Sequence, residues 1–260
     1  MKLKIDCQLE YRATYETPFI LLLRLHGGRT QFVLNETLEF NPATQVTEYT
    51  DLYGNYCQRF MAPEGKLTIK TSALVETAEG VNVDEGANFT LIQHLPDVAL
   101  LYLLPSRFCE SDKLNALAWD IVGPVTVGYQ MVEAIRQWVK SKIQYEYNRS
   151  SSTTSALDTL SAGHGVCRDV SHLAIALCRS LNIPARFVVG YLYELKPMDL
   201  HAWFEAFLEG QWYTFDATQT VTTGGRVILA YGRDAADVAT ATYFGEVVLE
   251  NMYVAVEKVA

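Results

Sequence analysis

The stretch Gly163-His-Gly-Val-Cys167-Arg-Asp-Val170-Ser-His-Leu173-Ala-Ile-Ala-Leu177-Cys-Arg-Ser-Leu181 sets a glycine-flanked cysteine directly before an apolar stripe. Val170, Leu173, Ala174, Leu177, Cys178 and Leu181 recur at intervals of three and four, which predicts a helix with one packed face. Asn182-Ile-Pro184 breaks it. Cys167 therefore falls at or just inside a helix N-terminus. Unpaired backbone N–H groups and the positive dipole end favour a thiolate there. The same N–H groups can stabilise an oxyanion formed after attack on a carbonyl. At about 100° per residue, Cys167 projects to the side of Ala174 and Cys178, so a sheet on that face could offer it a base.

The base is expected from His201-Ala-Trp-Phe-Glu-Ala-Phe-Leu208, which turns at Glu209-Gly210 into Gln211-Trp-Tyr-Thr-Phe-Asp216-Ala-Thr218. A two-residue hairpin loop sets His201 opposite Thr218, with Asp216 one diagonal step away on the same face. That face carries His201, Trp203, Glu205, Thr214, Asp216 and Thr218. The other carries Ala202, Phe204, Ala206, Leu208, Tyr213, Phe215 and Ala217, and is core. A carboxylate placed to orient an imidazole, beside a cysteine, is the nucleophile–base–orienter set of thiol acyl transfer.

Outward from this centre, residues 1 to about 104 predict short strands at 2–11, 18–25, 31–40, 44–50, 58–61 and 67–75, punctuated by turn signals, which suggests an antiparallel sandwich. Beyond Leu104-Pro105, helical patterns follow. One is capped by Asp112 and carries Leu114, Leu117, Ala118 and Ile121, and another spans about 129–143. A short helix opens on Ser155-x-x-Asp158 and ends at Gly163. Strands are expected at 185–193, His201–Leu208, 211–217 and 247–256. The chain divides into a β-rich accessory region, 1–106, and an α+β core, 107–260.

Composition narrows the classes. Across 260 residues, 21 Lys and Arg face 30 Asp and Glu, giving a formal charge of −9, and 49% of residues are apolar against 20% charged. These values exclude a disordered chain, a coiled coil and a collagen-like repeat. The acidic balance, with no Lys or Arg run longer than two, argues against a nucleic-acid partner. Charges interrupt residues 1–10, so no leader peptide is expected, and the alternation of Leu3, Ile5, Cys7, Leu9 and Tyr11 predicts a strand. The apolar run 19–23 is far short of the about 20 residues that span a bilayer. The expectation is a cytoplasmic chain without membrane contact. The five cysteines, Cys7, Cys57, Cys109, Cys167 and Cys178, are odd in number and scattered, so a disulfide framework is not expected.

Three segments, Gly165-Val-Cys-Arg-Asp169, His201-Ala-Trp-x-Glu205 and Trp212-x-x-Phe-Asp-Ala-Thr218, together resemble the motifs of the transglutaminase-like superfamily. The match is nearest to its bacterial branch of transglutaminase-like cysteine proteases. Asn182-Ile-Pro-Ala-Arg186, Asp51-x-Tyr-Gly-Asn55 and Gly232-Arg-Asp-x-x-Asp-Val238 extend the resemblance over nearly the whole chain. It implies a papain-like α+β core with Cys167 as nucleophile, His201 as general base and acid, and Asp216 as orienter. One departure is Ala217, where family members usually have Pro.

Other roles weigh less. Cys178 lies about 16 Å along the helix from Cys167 and is expected in the core. Asp169 is expected to bind backbone N–H groups at the helix start. Arg233, Asp234 and Asp237 are expected in structural ion pairs. His164, Cys167 and His172 are three possible metal ligands, but His172 sits about 140° around the helix from Cys167, and no calcium loop occurs. No cofactor or metal is expected. The reading is a cysteine peptidase or amidase acting on a peptide or Gln-type amide through a thioester. The alternatives are amine-accepting transglutamination and a non-catalytic peptide- or protein-binding module.

Overall fold

The alternation at positions 3 to 11 forms β1 (Lys2–Ala13), with Leu3, Ile5, Cys7, Leu9 and Tyr11 all buried. In this computed structural model, which describes residues 1–28 and 30–259, β2 (Thr17–Leu21), β3 (Gln31–Asn41), β4 (Val46–Thr50), β5 (Tyr56–Ala62) and β6 (Gly65–Thr77) follow. Their inward faces enclose one apolar cluster, in which Phe19, Leu21 and Phe60 of one sheet meet Leu3, Ile5, Leu9, Leu67 and Ile69 of another.

The helical part contains α1 (Asp97–Leu100), α2 (Asn115–Val122), α3 (Gly128–Lys142), the short β7 (Gln144–Tyr145), α4 (Ala156–Ala162), the short β8 (His164–Gly165) and α5 (Cys167–Ser180). The predicted capping box holds at α4: the Ser155 hydroxyl accepts from the Asp158 N–H and the Asp158 carboxylate from the Ser155 N–H. Helix α5 is buried from Asp169 through Arg179, as an apolar-striped helix packed between other helices and a sheet should be.

That sheet contains β9 (Ala185–Leu192), β10 (His201–Leu208), β11 (Gln211–Phe215) and β12 (Arg226–Gly232), in the order β11-β10-β9-β12. The hairpin register is the expected one: Leu208 pairs with Gln211 and Phe204 with Phe215, around Glu209 and Gly210, both at positive φ. The face carrying Ala202, Phe204, Ala206, Leu208, Tyr213, Phe215 and Ala217 packs against the helices. On the opposite face, Trp203 packs with Val188, Ile228 and Tyr231. Tyr191, Val227 and Leu229, where β9 and β12 reach the β-rich layer, join the core of that layer.

Two expectations need correction. Ladder pairing ends at Phe215, so residues 216 and 217 leave the strand. The last strand, β14 (Val247–Val259), does not join the α+β core. It pairs with β1, while β13 (Ala241–Tyr243) pairs with β2, giving sheets β14-β1-β6-β3 and β13-β2-β5-β4. A division after residue 106 therefore does not follow the strand pairing. β1 is inner to its sheet, and its second edge is satisfied by residues from the far end of the chain.

The two signature segments outside the core meet each other. The Asp51 carboxylate accepts from the N–H groups of Tyr53 and Asn55, and the Asn55 side chain bonds both the N–H and the C=O of Tyr231. Tyr53 Oη donates to Asp237, which also pairs with Arg233 at 2.9 Å. The Asp234 carboxylate instead accepts from the Phe108 and Ala236 amides.

Candidate active site

Cys167 is the first residue of α5. The first helical bonds run from the Asp169 and Val170 amides to the Val166 carbonyl, at 2.9 and 3.1 Å, so the Cys167 and Arg168 amides precede the ladder. The Asp169 carboxylate, fully buried, accepts from the Val166 N–H at 2.9 Å and from the Arg168 guanidinium at 2.7 Å. This fixes the turn into the helix. Gly165 is required there, because a Cβ would stand 2.8 Å from the Asp169 Cβ. Cys7, Cys57, Cys109 and Cys178 are free and buried, whereas Cys167 is partly exposed. Burial pushes the Cys109 thiol up to about 12 and the Cys7 thiol up to about 11, which leaves both inert as nucleophiles.

His201 is the first residue of β10, and Asp216 follows the end of β11. His201 Nε2 and Asp216 Oδ2 are 2.7 Å apart. An ionised carboxylate only accepts, so Nε2 carries the proton in this bond. Asp216 Oδ2 also accepts from Arg226 Nη2 at 2.9 Å, and Oδ1 accepts from the Thr218 N–H and hydroxyl at 2.9 and 2.6 Å. Burial disfavours the charge on Asp216, but the His201 hydrogen bond, the Arg226 charge and the Thr218 hydroxyl outweigh it and hold the carboxyl below its usual range. Burial likewise opposes a charged His201. Hydrogen bonding and charge from Asp216 and Cys167 prevail and raise the imidazole to about 9.

His201 therefore interacts with Asp216 and with Cys167. The meeting occurs where β10 and α5 begin, not through the body of the sheet. The imidazole lines a cleft of about 530 Å³, together with Tyr145, Tyr147, Thr218, Gln219 and residues 192–196.

The remaining candidates separate from this cluster. Cys178 is fully buried in the helical core. His172 is enclosed between the rings of Phe108 and Phe187 and accepts from the Ala235 N–H at 3.1 Å, and burial pushes its imidazole down to about 3. Among the described residues, no three His, Cys, Asp or Glu side chains are grouped to hold a metal ion. No described helix is long and apolar enough to cross a membrane. Glu205 pairs with Arg186 at 2.6 Å, and the Arg186 guanidinium is sandwiched between Trp212 and Tyr231 at 4.2 and 3.7 Å.

Sequence reasoning missed Arg226, the second cation on Asp216. Its only signal is a basic residue opening an apolar run, Arg226-Val-Ile-Leu-Ala-Tyr-Gly232, and that run is a strand buried along its whole length.

A family model described as the transglutaminase-like superfamily matches residues 115–217. A crystal structure from Cytophaga hutchinsonii, named as that of a "putative cysteine protease", is 37% identical, with a TM-score of 0.93 over 99% of this chain and 90% of that one. An uncharacterized protein of Mycobacterium leprae is 29% identical over 226 residues, 80% of this chain and 79% of its own. An uncharacterized protein of Mycobacterium tuberculosis is 32% identical over 127 residues, 42% of this chain and 40% of its own.

Proposed function

This chain belongs to the transglutaminase-like superfamily, and from that premise we propose that it is a cysteine peptidase or amidase using Cys167, His201 and Asp216. The observation carrying this reading is the imidazole of His201, bonded at 2.7 Å to a buried carboxylate and interacting with Cys167 on the partly exposed tip of α5.

The chemistry follows from these positions. The Cys167 thiolate attacks an amide carbonyl, forming an S–C bond, and the carbonyl π pair moves onto oxygen. The His201 imidazolium, stabilised by Asp216, gives its proton to the departing nitrogen as the C–N bond breaks. A thioester remains. His201, now neutral, takes a proton from water, whose oxygen attacks the thioester, and the thiolate is released with the acid. The cleft borders polar residues such as Glu194, Lys196 and Gln219, which favours access of water and supports hydrolysis over amine transfer. A peptide or a Gln side chain supplies the amide.

Iodoacetamide labelling and amide turnover test this. The wild-type protein is expected to alkylate at Cys167 faster than a free thiol at neutral pH, and Cys167→Ser to lose turnover. Turnover that survives Cys167→Ser overturns the proposal. Release of free acid from a fluorogenic peptide, compared with incorporation of a primary amine, separates hydrolysis from transamidation.

A further inference from the structure

β7 is only two residues long, yet it decides what stands beside Cys167. It pairs in parallel with β8, Gln144 opposite His164 and Tyr145 opposite Gly165. The Gln144 and Glu146 amides donate to the Gly163 and Gly165 carbonyls at 2.9 and 3.0 Å. The backbone thus anchors Tyr145 to the glycine turn that launches α5. The Tyr145 ring meets Tyr147 edge-on, with centroids 5.4 Å apart, and both line the cleft with His201. The Tyr145 hydroxyl neighbours that of Tyr147 and lies near the main chain and the thiol of Cys167.

A carbonyl carbon attacked by Cys167 Sγ lies at the helix tip, so its oxygen falls near the Cys167 N–H, which is outside the helical ladder. One N–H is an incomplete oxyanion site. Two other polar side chains of the cleft are already engaged: the Thr218 hydroxyl is committed to Asp216 at 2.6 Å, and the Gln219 amide is held by Thr223 at 3.1 Å. We propose that Tyr145 is a catalytic residue: its phenolic O–H donates to the developing oxyanion, which it shares with the Cys167 N–H. No proton is transferred in this step. The oxygen gains the π pair as the S–C bond forms, and returns it as the C–N bond breaks. Burial and the neighbouring Cys167 and Tyr147 raise the phenol above its ordinary value, so at neutral pH it remains a donor.

This inference rests on Cys167 being the nucleophile, and the experiment keeps the two apart. Alkylation by iodoacetamide displaces iodide at a tetrahedral carbon and forms no oxyanion. Acylation by p-nitrophenyl acetate passes through one. In the full chain, Tyr145→Phe is expected to leave Cys167 alkylation unchanged and to slow the nitrophenolate burst by about 10²-fold, the scale of losing one oxyanion donor. An unchanged burst overturns the inference. A faster burst also overturns it, because the phenol would then be covering the amide. Equal loss of both reactions overturns it in favour of a structural role. If the wild-type thiol is no more reactive than a free thiol toward either reagent, the nucleophile assignment itself falls, and this inference with it.

Discussion

Asp216 and His201 are joined at 2.7 Å although Asp216 lies one residue beyond the last ladder pair of its hairpin. Leaving the strand lets one carboxylate collect four donors, from His201, Arg226 and Thr218. Replacing it as Asp216→Asn removes the charge that holds the imidazolium. A raised histidine pKa means the proton is held up to pH about 9 in the wild type, so amide turnover should decline as pH rises through that value. In the variant that limb should move down toward the ordinary imidazole range, about 6.5, with turnover at neutral pH falling by about 10²- to 10⁴-fold. A pH–rate profile of both proteins on one fluorogenic peptide checks this. The same linkage makes His201 stabilising below its unfolded value of about 6.5, a contribution lost as pH rises through its folded value.

Arg226 is buried and shares Asp216 Oδ2 with His201. Arg226→Gln leaves the buried carboxylate with an incomplete set of partners. Breaking a buried pair from one side costs about 3–5 kcal/mol, so urea unfolding should show a loss of that order. Arg226→Lys should recover only part of it, since an ammonium cannot also reproduce the bonds to Gln219 and the Thr223 carbonyl.

Gly165→Ala pushes a methyl group against Asp169, whose carboxylate holds the Val166 amide. The entry to α5 should shift, and with it Cys167. Iodoacetamide labelling of Cys167 should slow, and stability should fall by about 1–3 kcal/mol, read by thermal unfolding. Labelling at the wild-type rate would show that the turn tolerates the added methyl.

Asn55→Ala deletes both bonds to the Tyr231 main chain and leaves a buried N–H and C=O without partners. The expected cost is about 2–5 kcal/mol, from about 1–3 kcal/mol per unsatisfied group. Chemical denaturation measures it, with Asn55→Asp as the variant that keeps an acceptor for the Tyr231 N–H.

The hairpin and the α5 start were legible in the sequence because they are local. A two-residue turn sets the register by counting, and glycines before an apolar stripe place Cys167 at a helix tip. What escaped is non-local. Residues 226–232 form a continuous apolar run, whose strand character shows only when β9 lies beside it. Arg226 reaches Asp216 across an irregular loop that no periodicity describes. Alternation marks 247–256 as a strand but carries no information about its partner, so the pairing of β14 with β1 is not legible there. The face of His201 on the sheet was likewise deducible, but not that Cys167 would reach it around the strand's end.

That pairing of Lys2 with Val259 sets a sequence of events. Strand β1 emerges from the ribosome long before β14 exists, so one flank stays unzipped while all of the helical part is being made. Contacts this distant in sequence are slow to form, and the waiting edge invites association between nascent chains. A fragment cut after residue 106 would keep that edge open permanently, because the strands that cover β1 and β2 lie in the other piece. The helical part of this molecule is therefore a guest within a sheet that can close only after that part has been made.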